Sequence, residues 1–421
     1  MVFNHGLALV TGLASSVVLA RWLGPAGRGE YAVYSTALAL LVTVVGLGFG
    51  HANTILAGRK ALSHPSLFIN SFMYAAAAPV PVVLLASLPP TKYMLQWTQL
   101  PPKYLLLAGV ALWPTLSVSF VQGILLGERD YKSYNLVNAL QTILTLCVIV
   151  ITLVVLKSGI TGLIWGGIGV ASLTLILAVV LTIRKKHPGN WRLDLALLQS
   201  AVGIGVRSAL INSLDTLHFR LVIFLIGAYL GTEAVGYYSL ALSLTVAISF
   251  LSPLLNNIVF SYVPSAGVRT ARAVIQVGYL AMAIAVGATF GFVLIGRPVI
   301  TLFYTRTFLP SYEPLIILLI AEVFKSHAAL SAGFLAGLGY PRIYLIGSIV
   351  SLLTNVSLNL LLIPAANVSG AALAAVMSYA VLAVIYGYGV ARHGHLSQPD
   401  LWPSWAFLQE NWGRMIQWRK I

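Results

Sequence analysis

The sequence predicts an all-α integral membrane protein of about twelve transmembrane helices, arranged as two six-helix lobes in parallel repeat. Three observations carry this. Apolar residues make up 59% of the 421 and charged residues only 8%, whereas an ordinary soluble domain carries roughly a quarter charged residues. The apolar runs are continuous and near the ~20 residues that cross hydrocarbon, so helices rather than a closed barrel satisfy the backbone. Finally, LGPAGRGEY (23–31) returns as LGTEAVGYY (230–238), both reading L-G-x-x-x-x-G-x-Y, 207 positions later.

In chain order, the first apolar run, 3–20, begins almost at Met1 and ends at Arg21, with no charged leader or small-residue cleavage site. The second, 32–57, follows the first connector and stops at Arg59 and Lys60. The third, 67–88, ends in Pro89 and Pro90, and the fourth, 104–127, starts after Pro101 and Pro102. The fifth, 134–156, holds the lone cysteine, Cys147, which excludes an internal disulfide. The sixth, 160–183, stops at Arg184, Lys185 and Lys186. The seventh and eighth, 202–229 and 236–260, flank the second connector. The ninth and tenth, 271–296 and 313–338, are followed by 343–363, which ends at Pro364, and by 368–391. Connectors are short and rich in Gly, Pro and basic residues, and none is long enough for a soluble catalytic domain.

Cytoplasmic connectors retain Lys and Arg. With the N-terminus inside, the inner connectors and the tail hold 15 basic residues and the outer connectors 7, with Arg207, Arg220 and Lys325 within spans. Both termini are therefore expected in the cytoplasm. The organisation expected is a lobe at 1–183, a cytoplasmic linker at 184–201, a second lobe at 202–391 and a tail at 392–421. The formal charge of +15 follows mostly from this topology and calls for no nucleic acid.

Six spans separate the two connectors, so both face one side of the membrane. Gly123-x-x-x-Gly127 recurs as Gly333-x-x-x-Gly337, 210 residues on, and Gly162 corresponds to Gly370, 208 on. Parallel repeats with a substrate site between the halves belong to alternating-access transporters. The glycines themselves read as turn formers and points of close helix packing. Gly46-x-Gly48-x-Gly50 lies inside a span and is no dinucleotide fingerprint.

ARWLGPAGRGEYAVY (20–34), with Gly24, Gly29 and Tyr31, resembles the polysaccharide (oligosaccharide) flippases of the multidrug/oligosaccharidyl-lipid/polysaccharide exporter superfamily. So do LGTEAVGYYSLALSL (230–244), with Gly231, Gly236 and Tyr238, GLGYPR (337–342), with Gly337, Gly339 and Pro341, and SLNLLLIPAANVSGAALAA (357–375), with Pro364 and Gly370. The resemblance runs along nearly the whole chain and is densest from the seventh span to the twelfth. It implies the two-lobed, MATE-like fold and flipping of undecaprenyl-diphosphate-linked sugar units from the cytoplasmic to the outer leaflet of a bacterial inner membrane. O-antigen, capsule or exopolysaccharide assembly would be the pathway, with other polysaccharide-assembly membrane proteins as partners. In LHFRLV (217–222) Arg220 matches the family arginine, whereas Val222 stands where relatives often carry an acid. No coupling role for that acid carries over.

A lipid diphosphate asks for a wet, cationic cavity open sideways to lipid. Charges at mid-helix cost roughly 2.5–3.5 kcal/mol unless solvated or paired. The candidates are therefore Arg207, Asp215, His218 and Arg220 on the seventh span, Glu322, Lys325 and His327 on the tenth, and His51 on the second. At roughly 100° per residue, Arg207, Asp215 and His218 form one stripe and Arg220 points nearly opposite Arg207. Each has a plainer reading. Arg207 can snorkel to headgroups, and Glu322 and Lys325 can neutralise each other at i, i+3. Asp215 and His218 read as a polar pair or a proton relay, and His51 and His327 as interhelical hydrogen-bonders. Arg21 and Arg28, at the outer mouth, either guide phosphate or are solvated loop charges. No cofactor or metal site is expected; coupling to H+ or Na+ is left open.

The tail, HLSQPDLWPSWAFLQENWGRMIQWRKI (395–421), interleaves Trp and basic residues and reads as an amphipathic helix on the inner leaflet, or as a dock for a biosynthetic partner. Two other function classes compete with the flippase. A multidrug or small-solute antiporter of the same superfamily would want acids in its cavity, yet the spans hold three bases against two acids. A membrane glycosyltransferase or polymerase would need an acidic site, and the one close pair, Glu128 and Asp130, flanks Arg129 in an inner loop and reads as a topology determinant. The basic asymmetry makes a direct prediction: a reporter fused after Gly267 is cytoplasmic and one fused after Thr232 external. The reverse labelling would overturn the orientation.

Overall fold

The computed structural model describes residues 2–59, 64–87, 101–185, 191–249, 270–397 and 402–403. All regular structure among them is helical. Nine of these helices are long and apolar enough to cross a membrane. The number is below twelve because long helices run through two expected spans. Helix α1 (Val2–Gly46) covers the first span and most of the second. It is followed by α2 (Phe49–Ala57), α3 (His64–Ala77), α4 (Pro79–Ser87), α5 (Pro102–Gly127) and α6 (Tyr131–Val150), which ends in a π-turn at Ile151–Val155. Then come α7 (Gly159–Ile183) and α8 (Leu195–Ser249), the latter carrying the seventh span and the start of the eighth. The rest of the eighth span, 250–260, lies outside the described residues. Helix α9 (Ala271–Val299), α10 (Tyr312–Gly337) and α11 (Pro341–His393) complete the chain. The expected tail helix lies almost wholly outside the described residues; Trp402 is exposed and its carbonyl accepts from Gln276 Nε2 at 2.8 Å.

The merged helices are bent where the sequence repeats. Gly24 (φ 66°, ψ −176°) and Gly231 (φ 82°, ψ 178°) interrupt α1 and α8 at the same place in the two connectors. That conformation is open only to glycine. The residues after it resume the helix at once, so each connector is itself helical. In α11 the break falls at Ala366 and Asn367, two residues after Pro364, and Gly370 packs onto the Leu362 carbonyl across it. A Cβ at Gly370 would overlap that oxygen.

The 210-residue offset holds at the level of single residues. Helices α5 and α10 are both 26 residues long and begin and end 210 apart. The turns that follow share one backbone: Arg129 (φ 60°) matches Gly339 (φ 80°), and Asp130 and Tyr340 donate to Leu125 and Leu335 carbonyls, both at 2.9 Å. Asp130 also caps α6 by accepting from the Ser133 N–H at 3.1 Å. Pro341 opens α11 at the position where the missing N–H costs nothing. Lys185, at the end of α7, pairs with both Glu128, at 3.0 Å, and Asp130. Burial alone would raise the Asp130 carboxyl, but the ammonium and the Ser133 hydrogen bonds hold it down at about 2. The pair read as a topology determinant thus also ties the α5–α6 turn to α7.

The chain packs as two compact units, Met1–Ser239 and Leu240–Ile421. Helix α8 meets the first unit at Leu197 and Ala201, at Gly205 and again at its connector. In that unit Phe49, Leu56, Leu67, Leu112, Leu116 and Ile124 build the core where α2, α3 and α5 meet. Asn53 donates to Ser71 Oγ at 2.7 Å and to the Phe120 carbonyl at 3.1 Å, joining the same three helices. Polar side chains buried in lipid need such partners. In the second unit Ser351 and Asn355 bond Ser378, its carbonyl at 2.9 Å and its hydroxyl at 3.1 Å, holding the two halves of α11 side by side.

The Gly123-x-x-x-Gly127 pair packs as read. Gly123 lies on the Gly50 carbonyl and Gly127 on the Thr54 carbonyl, four residues apart on both helices. Neither backbone can give way. Gly123→Ala should therefore cost about 1–3 kcal/mol by overpacking, measured as a lower melting temperature of the purified protein. Gly167→Ala, where a Cβ meets nothing within 4 Å, should leave the melting temperature unchanged or raised.

Candidate transport cavity

The first unit contains a cavity of about 350 Å³ at the bend between α1 and α2, within the usual range for small-ligand sites. The bend exists because Leu47 and Gly48 both adopt positive φ. Glycines at 46, 48 and 50 let this stretch pack closely on Leu116, the Gly205 carbonyl and the Ser119 carbonyl beside the cavity. His51, Thr54, Gln122 and Tyr134 face the space with Thr43, and Ala209 and Thr216 of α8 form its other side. Phe49, Phe120 and Leu116 supply the apolar wall. The described lining carries no carboxylate, Lys or Arg. It offers hydroxyls, an amide and an imidazole: donors and acceptors suited to a neutral polyol. Gln122 Nε2 reaches Asn138 Oδ1 at 3.4 Å and Asn138 donates to the Tyr134 carbonyl at 2.9 Å, which fixes this edge.

His51 was expected to bond a neighbouring helix; it is exposed and lines the cavity instead. Arg220 is half-buried and makes no hydrogen bond or ion pair among the described residues. At 3.6 residues per turn its position falls about 20° from Ala209 and about 40° from Thr216 around α8. It therefore continues the cavity-facing stripe, one turn nearer the connector. His218, about 160° from Arg220 around the helix, is buried away from that stripe. The side chains of Arg207 and Asp215 lie outside the described residues.

At the first connector Arg21 is exposed, but Arg28 is not a solvated loop charge. It is 4% exposed. Its guanidinium donates to the Ser16 carbonyl at 2.7 Å and Ser16 Oγ at 3.0 Å, and to Ser239 Oγ at 3.1 Å and the Ser239 carbonyl at 3.3 Å. Beside it the two connectors touch directly. A Cβ on Gly29 would overlap the Thr232 carbonyl, and one on Gly236 the Pro25 carbonyl. Pro25 and Thr232 hold the same place in the two repeats, so the contact is reciprocal. Tyr31 packs beside Ile149, Leu153 and Leu163, and Tyr238 is buried.

In the second unit, Lys325 pairs with Glu322 at 2.9 Å, the i, i+3 neutralisation the spacing allows, and lies 5.9 Å above the Tyr379 ring. Glu322 is buried, and its Oε2 has no hydrogen-bond partner among the described residues. His327 is buried against the Tyr279 ring, 5.5 Å between centroids. Its Nδ1 makes no hydrogen bond among the described residues, so the expected interhelical bond is replaced there by a ring contact.

A family model described as "polysaccharide biosynthesis protein" matches residues 18–313. The chain belongs to that family. The matched stretch contains both connectors and the whole cavity lining, and ends before GLGYPR (337–342). No curated protein sequence matches the chain. Among solved structures, lipid II flippase MurJ in an inward closed conformation is similar with a TM-score of 0.73 at 13% identity, covering 99% of this chain and 91% of that one. An inward-facing multidrug resistance MATE family transporter of the MOP superfamily is similar with a TM-score of 0.71 at 15% identity, over 92% and 94% of the two chains. A MOP superfamily transporter from Pyrococcus furiosus gives 0.66 at 15% identity, over 93% of each. This member of the polysaccharide biosynthesis family thus has the fold of these MOP superfamily structures.

The Glu322–Lys325 pair yields a stability prediction. Removing one member leaves a buried charge alone, so Lys325→Ala should destabilise by up to about 3 kcal/mol, seen as lower membrane abundance and melting temperature. Glu322→Gln combined with Lys325→Gln should recover most of the loss. Equal loss in the single and double variants would refute mutual neutralisation.

Proposed function

We propose that this protein is an alternating-access transporter that flips polyprenyl-diphosphate-linked oligosaccharides from the cytoplasmic to the outer leaflet, with both termini in the cytoplasm. The observation that carries the reading is Arg220. It is a half-buried cation without a partner among the described residues, on the same stripe of α8 as Ala209 and Thr216. A neutral, hydrogen-bonding cavity suits sugar hydroxyls, and a guanidinium one turn away suits the diphosphate that joins them to the lipid. Its fork bonds phosphate oxygens bidentately, which a lysine cannot do. Lys325, engaged by Glu322, is left a neutralising role. Membership of a polysaccharide biosynthesis family supports the sugar half of the substrate.

Arg220→Ala should abolish surface glycan while leaving membrane abundance normal, and Arg220→Lys should restore only part of it. The measurement is glycan at the cell surface against accumulation of the lipid-linked precursor. Full activity of Arg220→Ala would refute the diphosphate role and put a smaller-solute exporter ahead.

A further inference from the structure

Helix α8 crosses the α1–α2 strand of the chain twice within the first unit, and the two crossings are held differently. At the connectors, Gly29 lies on the Thr232 carbonyl and Gly236 on the Pro25 carbonyl. At the α1–α2 bend, Gly48 lies on the Gly205 carbonyl and Gly205 on the Leu47 carbonyl. About 28 Å of chain at helical rise separates Gly29 from Gly48, close to the ~30 Å of a hydrocarbon core. The cavity adjoins the second crossing.

We infer that Arg28 is a clasp that keeps the connector crossing shut, so that the cavity opens at the Gly48–Gly205 crossing first. The inference rests on the transporter reading above. Arg28 is buried, and hydrogen bonds from its guanidinium reach Ser16, ahead of the Gly24 break, and Ser239, one turn beyond Gly236. One side chain therefore ties the first part of α1, the first connector and α8 together. Parting the connectors would pull the guanidinium from both Ser239 acceptors, while Ser16, on α1 with Arg28, stays beside it. The Gly48–Gly205 crossing is backbone against backbone, and among the described residues no side-chain hydrogen bond spans it. With glycine on both sides, no hydrogen bond from a described side chain opposes the separation of its helices. The geometry fits arginine alone: the planar fork serves Ser16 and Ser239 together, whereas a lysine ammonium cannot reach both with fixed direction. Arg28 is not among the described residues that line the cavity. It acts as a positioning residue, by deciding which end opens.

The test reads accessibility rather than transport. In a Cys147→Ser background, Thr43→Cys reports from the cavity wall and Ala26→Cys, exposed in the first connector, marks the connector face. A membrane-impermeant maleimide is applied to intact spheroplasts and to inside-out vesicles. With Arg28 intact, Thr43→Cys should label only from the face opposite the one that labels Ala26→Cys. Arg28→Ala should raise labelling from the connector face severalfold, and Arg28→Lys less. Should Arg28→Ala fail to fold, Ser16→Ala with Ser239→Ala decides, since it removes both hydroxyl acceptors and leaves the charge. Connector-face labelling that stays at the starting level in a folded clasp variant would overturn the inference. A shift in labelling alongside normal export by Arg220→Ala would instead overturn the substrate reading and leave the clasp standing.

Discussion

At the two connectors, backbone passes backbone with no side chain between them, and much of the first unit follows from that contact. Lipid gives helices no hydrophobic reason to associate with one another, so close approach has to come from small residues and shared polar groups. Gly29 and Gly236 supply the approach, Pro25 and Thr232 the carbonyls approached, and Arg28 the polar tie. The contact is reciprocal because the connectors are copies. It brings α8 across α1, and a second glycine crossing at Gly48 and Gly205 brings it across the α1–α2 bend. Beside the second of these crossings lies the cavity lined by His51, Thr54 and Gln122.

The copies have diverged in ways that show which features the fold demands. Arg129 and Gly339 hold the same positive-φ corner in equivalent turns, so the corner is kept even where a residue with a Cβ must strain to make it. The sequel differs. The first turn is tied down by Lys185 on Glu128 and Asp130, while the second uses Pro341 and the stacking of Tyr340 on His393, 4.0 Å between centroids. One copy spends charge in the aqueous loop and the other rings and a fixed proline. The backbone geometry is common to both.

The cavity shows what residue type alone conveys. Charges buried in an apolar span are visible in a sequence because they are costly, so Arg220, Glu322 and Lys325 stand out. Glycine stretches read equally as packing or as nothing in particular, and Gly46-x-Gly48-x-Gly50 was legible only as a motif it is not. That stretch bends the chain and packs closely on α5 and α8 beside the space that His51, Thr54 and Gln122 line. A lone histidine on an apolar face normally satisfies itself on a neighbouring helix, whereas His51 is exposed at the cavity. Arg28 went the other way. Three positions from a proline and flanked by glycines, it reads as a loop charge, but the connector is helical and folds it against Ser16 and Ser239.

The sequence by itself determined the solvent, the secondary structure and the repeat. These rest on composition, run length and spacing, which survive without knowledge of any contact. It also singled out Arg220 as a charge needing an explanation. Tertiary structure alone decided which helices are continuous, that Lys325 is held by Glu322, and which side of α8 meets a cavity. Those outcomes depend on whether a carbonyl of one helix lies within reach of a particular glycine or guanidinium far along the chain. Glycines have no side chain to announce their partner, so nothing local in the sequence records it.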